Sequence, residues 1–532
     1  MAQPPVLVVG GGHNGLVCAW RLKRSGLAVT LLEAAEEVGG CAQTEEFAPG
    51  FRNSVASYTV SLLRPEIIAA MALARHGLRI LPRPVGNMLP TEDGRALLLG
   101  GALDSSAEIA RFSPRDAERF PAYARRLEAV ADVLRRLALR PPPALRRGAA
   151  GWLALLRGAA PALGLPAEAR ADLFDLVAGS AARFLDRWFE ADALKALLAF
   201  DSVVGTWGAP STPGSAIVLL HHVFGEVDGV RGAWGHAVGG MGAITRAMAA
   251  ACAEAGVAIR TSAPVARIHV VGGHAVGVSL ADGTTLPASA VAAAVPPKLL
   301  FTRLLAREDV PEAVSVRLAG FASGSASLRM NVALSALPRF AALPEPGPHL
   351  SAGIILAPTM AWMERAFAES RLCGWSRAPI VEMLIPSTMD NSLAPEGAHV
   401  ASLFAQHFAP RLPGGLGWDA ARDAAAEAVL DVVERFAPGF RSLVVARQIL
   451  TPLDLERRFG LVDGDIFHGS LTLDQLWAAR PWPGAGRHAT GIAGLYIAGA
   501  GAHPGGGVSG APGWNAAGVI ARALGLKPQP TR

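Results

Sequence analysis

The chain is poor in cysteine, tyrosine and charge. Its 532 residues include four Cys and three Tyr, and 17% are charged. Cys18, Cys41, Cys252 and Cys373 are too few for a disulfide scaffold. None forms a CxxC, which excludes a thioredoxin-like pair and a zinc ribbon. No run of about 20 residues is apolar without a charge, Gly or Pro, so no membrane-spanning helix is expected. Basic residues exceed acidic ones by 5, too weak a bias for a nucleic-acid partner. No basic region precedes the apolar residues 6–9, and Gly10 ends them. They read as a buried strand rather than a signal peptide, and a cytoplasmic location is the default expectation.

What the chain has is apolar residues, 51% of the total, and 59 glycines. This is a folding composition, and the length suggests about two to four domains. Residues 5–33 read as strand, helix and strand, with Gly26 ending the helix. Residues 107–200 read as helix-rich, with apolar repeats at three and four over 166–180 and 192–200. A helix is expected over 244–255, β structure over 257–299 with a turn at Asp282-Gly283, and a strand, Gly-rich loop and helix over 494–524. Residues 300–440 mix strands and helices without a legible motif. The two ends share one grammar, so they are expected to join in a single domain with the middle inserted.

Gly10-Gly11-Gly12-His13-Asn14-Gly15 fits GxGxxG between a strand and a helix. Gly10 allows the turn, Gly12 lets the backbone approach a pyrophosphate, and Gly15 packs helix on strand. Glu33, 18 residues past Gly15, ends the second strand, where a carboxylate accepts hydrogen bonds from an adenosine ribose. Gly39-Gly40 follows, an E-x5-GG extension that resembles glutathione-reductase-type FAD proteins more than simple dehydrogenases. Gly499, Gly501 and Gly505-Gly506-Gly507 supply bare backbone beside a late helix start, suited to a flavin. No second complete GxGxxG stands in a strand–turn–helix setting. Gly239-Gly240-Met241-Gly242 lacks a preceding β run and reads as a loop near flavin or substrate, so a nicotinamide domain is not expected.

These residues, with Gly50-Phe51-Arg52, Ala56-Ser57-Tyr58, Leu62-Leu63-Arg64-Pro65, Trp188-Phe189-Glu190, Thr212-Pro213-Gly214-Ser215, Gly232-Ala233-Trp234-Gly235, Phe467-His468-Gly469, Arg480-Pro481 and His503-Pro504, resemble the carotenoid/retinoid oxidoreductase family, the phytoene-desaturase-related flavoproteins. The resemblance spans nearly the whole chain. It implies an α/β fold: a doubly wound, Rossmann-like, glutathione-reductase-type FAD-binding domain with an inserted α+β substrate domain that includes a helical section. The FAD-binding segments are then 1–105, 229–300 and 446–532, and the substrate segments 106–228 and 301–445. It also implies non-covalent FAD held by Gly10, Gly12, His13, Asn14, Gly15, Glu33, Gly39, Gly40, Val265, Gly499, Gly501, Gly507 and Val508. The activity implied is redox or isomerisation chemistry on a hydrophobic, often polyene, small molecule. Oxygen and quinone are the candidate electron acceptors. Cys41 and Trp514 depart from residues common in the family at those positions.

Other residues carry two readings each. His503 is a hydrogen-bond donor or proton shuttle at the flavin, or a side chain that fixes its loop. His221, His222 and His468 fit no metal spacing and read as packing. Glu382 and Asp390 read as solvated surface, with a base role as the alternative. Residues 133–166 hold six Arg and no acid, interleaved with Leu and Trp152. They form either an interfacial segment for anionic lipid or a solvated basic face. An amine oxidase shares this architecture but needs an aromatic cage, of which the sequence gives no sign. A flavin-stabilised interaction protein is the third reading.

Overall fold

The computed structural model describes residues 3–143, 149–325 and 327–529. Its first sheet has five parallel strands in the spatial order Ala258–Arg260, Val29–Leu32, Val6–Val9, Ala290–Ala293, Leu495–Ile497. Val6–Val9 is flanked on both sides and buried along its length, which is why it is a pure apolar run. One face carries the helices His13–Arg24, Gly242–Glu254 and Ala511–Ala523, whose apolar residues form one core with the sheet. The other face is covered by an antiparallel sheet, Val265–Val271, His274–Leu280 and Thr285–Pro287.

The first and last helices meet closely. A Cβ on Gly513 would lie 1.9 Å from the Asn14 carbonyl oxygen, so only glycine fits the crossing. Trp20 stacks on Trp514 at 6.5 Å, and Arg21 lies over the Trp514 ring and donates to the Trp514 carbonyl at 2.5 Å.

The second sheet has seven strands: Val444–Leu450, Ser327–Leu334, His399–Phe408, Trp375–Leu384, Gly353–Leu356, Asn87–Pro90 and Ala96–Leu99. Its pairs are antiparallel except Gly353–Leu356 with Asn87–Pro90. Two strands thus come from within the segment 1–105 that the sequence reading grouped with the cofactor. Ser327–Leu334 is buried at all eight positions. With neither face alternating towards water, the stretch 300–440 offered no period-two signal. The helix-rich part of the chain packs on this sheet in a single large core.

Two sequence expectations need revision. The glycines at 239–242 do follow a strand, Gly235–Ala237, which pairs with Ile80–Pro82, and Gly242 opens a helix. In segment 133–166, Arg135 is buried. Its guanidinium pairs with Glu128 at 2.6 Å and Asp132 at 2.8 Å and donates to the Phe224 carbonyl at 2.9 Å. Arg136, Arg140 and Arg157 are exposed, whereas Arg146 and Arg147 lie outside the described residues.

The Gly513 contact yields a stability prediction. Gly513→Ala should destabilise the fold by about 1–3 kcal/mol, the range for overpacking a close contact. An unchanged thermal midpoint would show that the helices separate freely at this crossing.

Candidate functional site

One cavity of about 670 Å³ runs between the two sheets, a volume typical of small-molecule sites. At one end it is lined by Gly10, Gly12, His13, Asn14, Gly15, Glu33, Gly40 and Val265, and along one wall by Ala500, Gly506, Gly507 and Val508. At the other end are Tyr58, Asn87, Phe200, Asp201, Val204, Glu382 and Phe404. Gly39, Gly499 and Gly501, expected at the cofactor, are not in the lining. Gly39 sits just behind it, where its N–H donates to the Gly11 carbonyl at 3.0 Å.

The glycine end suits a dinucleotide. A Cβ on Gly15 would lie 1.9 Å from the Gly10 carbonyl oxygen, so this glycine serves packing. A Cβ on Gly12 would meet no atom closer than 3.9 Å; it would project into space the chain leaves open. The helix begins at His13 with no side-chain cap and no acid in its first turn. Its first N–H groups are therefore available to an anion. His13 Nε2 and Asn14 Oδ1 are buried without partners beside them. Glu33 is oriented by the backbone N–H groups of Gly11 (2.6 Å) and Ala35 (2.9 Å).

The late wall is held by Arg480, fully buried. Its guanidinium donates to the carbonyls of Phe467 (2.7 Å), Ser470 (3.1 Å) and Ala500 (2.8 Å), and also to Gly469 and Gln475. Asp465 accepts from the N–H groups of Gly324, Phe467 and Gly469. Together they fix Ile466, Phe467 and His468, which line the cavity. Burial keeps the His468 imidazole neutral, down to about 3. His221, buried, contacts the Gly506 carbonyl at 3.2 Å; the side chain of His222 lies outside the described residues. His503 does not line the cavity. Its Nε2 donates to the Leu137 carbonyl at 3.0 Å, and burial lowers it to about 4. It is a neutral side chain that ties its loop to the helix Pro114–Ala138.

The far end holds what sequence reasoning missed. Glu382 and Asp390, expected at the surface, are buried. Asp390 accepts from His236 Nε2 (2.9 Å), the Gly239 N–H (2.7 Å) and Ser392, all structural partners. Glu382 accepts from Tyr58 Oη at 2.5 Å. Burial raises Glu382, against the pull of Arg83, the Tyr58 hydrogen bond and Arg329. Burial, reinforced by Glu382, holds Tyr58 as a phenol. Tyr58 stacks on Phe404 with centroids 5.2 Å apart, and Arg329 sits 4.4 Å from the Tyr58 centroid while donating to Ser402 Oγ at 2.6 Å. Tyr58 and Glu382 are 324 residues apart, and a pair at that separation leaves no local pattern. An acid inside the apolar strand Trp375–Leu384 was the one available signal.

None of the four cysteines is disulfide-bonded. Cys41 lines the cavity, but burial pushes its thiol up to about 12, which leaves it unreactive. Among the described residues no group of three His, Cys, Asp or Glu side chains is placed to hold a metal.

Comparison with known proteins agrees with this geometry. Residues 15–327 match the family model described as flavin containing amine oxidoreductase. A rat protein named pyridine nucleotide-disulfide oxidoreductase domain-containing protein 2 is 39% identical over 97% of this chain and 93% of its own. The lycopene-forming phytoene desaturase of Pseudescherichia vulneris is 27% identical over 95% of this chain and 96% of its own. A solved oxidoreductase from Methanosarcina mazei shares the fold, with a TM-score of 0.61 at 15% identity, over 97% of this chain and 99% of that one.

The two glycines separate packing from cofactor space. Gly12→Ala should lose bound flavin and fold with a thermal midpoint close to that of the flavin-stripped parent, whereas Gly15→Ala should fail to fold stably. Flavin absorbance and thermal unfolding measured side by side check this. Full flavin occupancy in Gly12→Ala would contradict it.

Proposed function

The chain belongs to the flavin containing amine oxidoreductase family and is an FAD-dependent oxidoreductase; from that premise we propose that it acts on carbon–carbon bonds of a hydrophobic small molecule. One observation carries the reading: a single cavity joins the glycine end to a chamber walled by Phe200, Val204 and Phe404. Gly10, Gly12, His13, Asn14, Gly15, Gly40 and Val265 would hold the dinucleotide, with Glu33 on the ribose side. The wall Ala500, Gly506, Gly507 and Val508 would face the flavin half. Bound FAD supplies the hydride acceptor. The chain contributes a chamber that excludes water and aromatic faces that orient a flat, apolar substrate. The name of the phytoene desaturase relative supports carbon–carbon chemistry.

Amine oxidation is the second reading, and the stacked Tyr58–Phe404 pair favours it. The charges weigh against it. Arg329 lies on the Tyr58 ring, and Arg83 stands near Glu382, so the Glu382 carboxylate is already countered. An ammonium substrate would approach two guanidinium groups in a low-dielectric site, where like charges repel strongly.

Anaerobic flavin reduction tests both readings. Hydrophobic alkenes or polyenes should bleach the flavin band, and simple amines should not. NADH and NADPH should reduce it far below ordinary enzyme rates of about 1–1000 per second, since no second dinucleotide motif is present. Rapid reduction by a nicotinamide, or by amines with peroxide release, would overturn the assignment.

We propose further that the helices Ala149–Leu163 and Ala167–Ala178 contact lipid. Trp152 is 70% exposed and Phe174 72%, and Leu153, Leu156 and Leu163 are also exposed, with Arg157 among them. Among the described residues no helix is long and apolar enough to cross a membrane, so such contact would be peripheral. Sedimentation with anionic vesicles should fall on Trp152→Ala/Leu156→Ala, and with added salt. Wild-type protein that ignores vesicles would refute the contact.

A further inference from the structure

Asp201 follows the helix Asp192–Phe200 and lines the cavity beside Phe200, Val204 and Phe404. Its carboxyl makes no hydrogen bond and no ion pair among the described residues. The titratable groups facing it are Glu382, from the strand Trp375–Leu384, and Tyr123, from the helix Pro114–Ala138. Among the described residues Tyr123 Oη is buried without a partner, and burial holds its phenol well above the usual tyrosine range, so it stays neutral throughout. Arg83 and Arg329 act on Glu382 and Tyr58. Asp201 thus stands in an apolar wall with no cation of its own. Burial, then the charge of Glu382, raises it to about 8. At neutral pH it is a protonated acid, a hydrogen-bond donor with no acceptor supplied by the chain.

A pure hydrocarbon filling this chamber would displace water from Asp201 and leave its O–H unsatisfied, a penalised arrangement. An ammonium would need the ionised carboxylate. An oxygen function on the substrate satisfies the donor as it stands. We propose that Asp201 donates a hydrogen bond to an oxygen atom of the substrate, so that the site selects oxygen-bearing lipophilic molecules over hydrocarbons of the same skeleton. The inference rests on reading this cavity as the chamber of a carbon–carbon oxidoreductase. A neutral acid kept as a donor by its apolar setting is a known device in enzyme sites.

The test uses the FAD-loaded full chain and calorimetric titration with three probes of one skeleton: carvone, limonene and carvylamine. At pH 6.5 carvone should bind about three- to tenfold tighter than limonene, the range of one hydrogen bond. That advantage should shrink as pH rises through about 8 towards 9.5, because the ionised carboxylate no longer donates and a ketone cannot donate to it. Asp201→Asn should keep the preference and lose its pH dependence. Asp201→Leu should lose the preference and keep the FAD. Equal binding of carvone and limonene to the parent, no binding of either, or a carvylamine affinity that is the highest and rises with pH would each overturn the proposal. Flavin reduction separates the two claims. If carvone binds as described but no hydrophobic compound reduces the flavin, the carbon–carbon reading fails and the Asp201 site stands. If alkenes reduce the flavin and Asp201→Leu changes no affinity, the reading stands and the site fails.

Discussion

The late wall of the cavity depends on Arg480, which holds five backbone carbonyls from a fully buried position. Those carbonyls belong to residues 467–475 and to Ala500, two stretches with little regular structure. Without a central donor their oxygens would be buried and unpaired, which is costly. Burial lowers the guanidinium to about 10, so it remains charged at neutral pH. Asp465 complements it by accepting from three N–H groups of the same region. This arrangement places Phe467, His468 and Gly506–508 opposite the first glycine loop, nearly five hundred residues away in sequence. A dinucleotide-binding loop is common to many folds; here it shares one cavity with the wall that the buried guanidinium holds in place.

Two chemically distinct ends follow from the two sheets. The parallel sheet ends in bare backbone and a helix N-terminus, which suits phosphates. The antiparallel sheet contributes side chains that alternate into the chamber, and two of its strands bring Glu382 and Phe404 face to face with Tyr58. The buried charges there are not balanced: two arginines stand with one carboxylate and one acid that burial keeps protonated. Such a cluster is tolerable in an apolar interior only with its hydrogen bonds made. Arg329 donates one hydrogen bond, to Ser402 Oγ, and its remaining buried nitrogens have the faces of Tyr58 and Phe404 beside them instead of acceptors.

The legible parts of the sequence were local ones. Gly10, Gly12, His13, Asn14, Gly15, Glu33 and Gly40 announce themselves through spacing within forty residues, and all line the cavity. The parallel strands were readable because each is a short apolar run beside a turn. The second sheet was opaque because its central strands Ser327–Leu334 and His399–Phe408 are buried on both faces, which erases alternation. The polar cluster was opaque for a different reason. Tyr58, Asp201, Arg329 and Glu382 come from four distant segments, and each alone looks like an ordinary polar residue. His503 carried two readings in the sequence, a proton shuttle or a side chain that fixes its loop, and its contact with the Leu137 carbonyl fits the second.

Identification of the cofactor released by acid from the purified chain tests the central claim most directly. The account predicts a yellow protein that releases FAD, one per chain, leaving a colourless and reloadable apoprotein. Protein that stays colourless after incubation with FAD, or that releases a nicotinamide dinucleotide in its place, would contradict it.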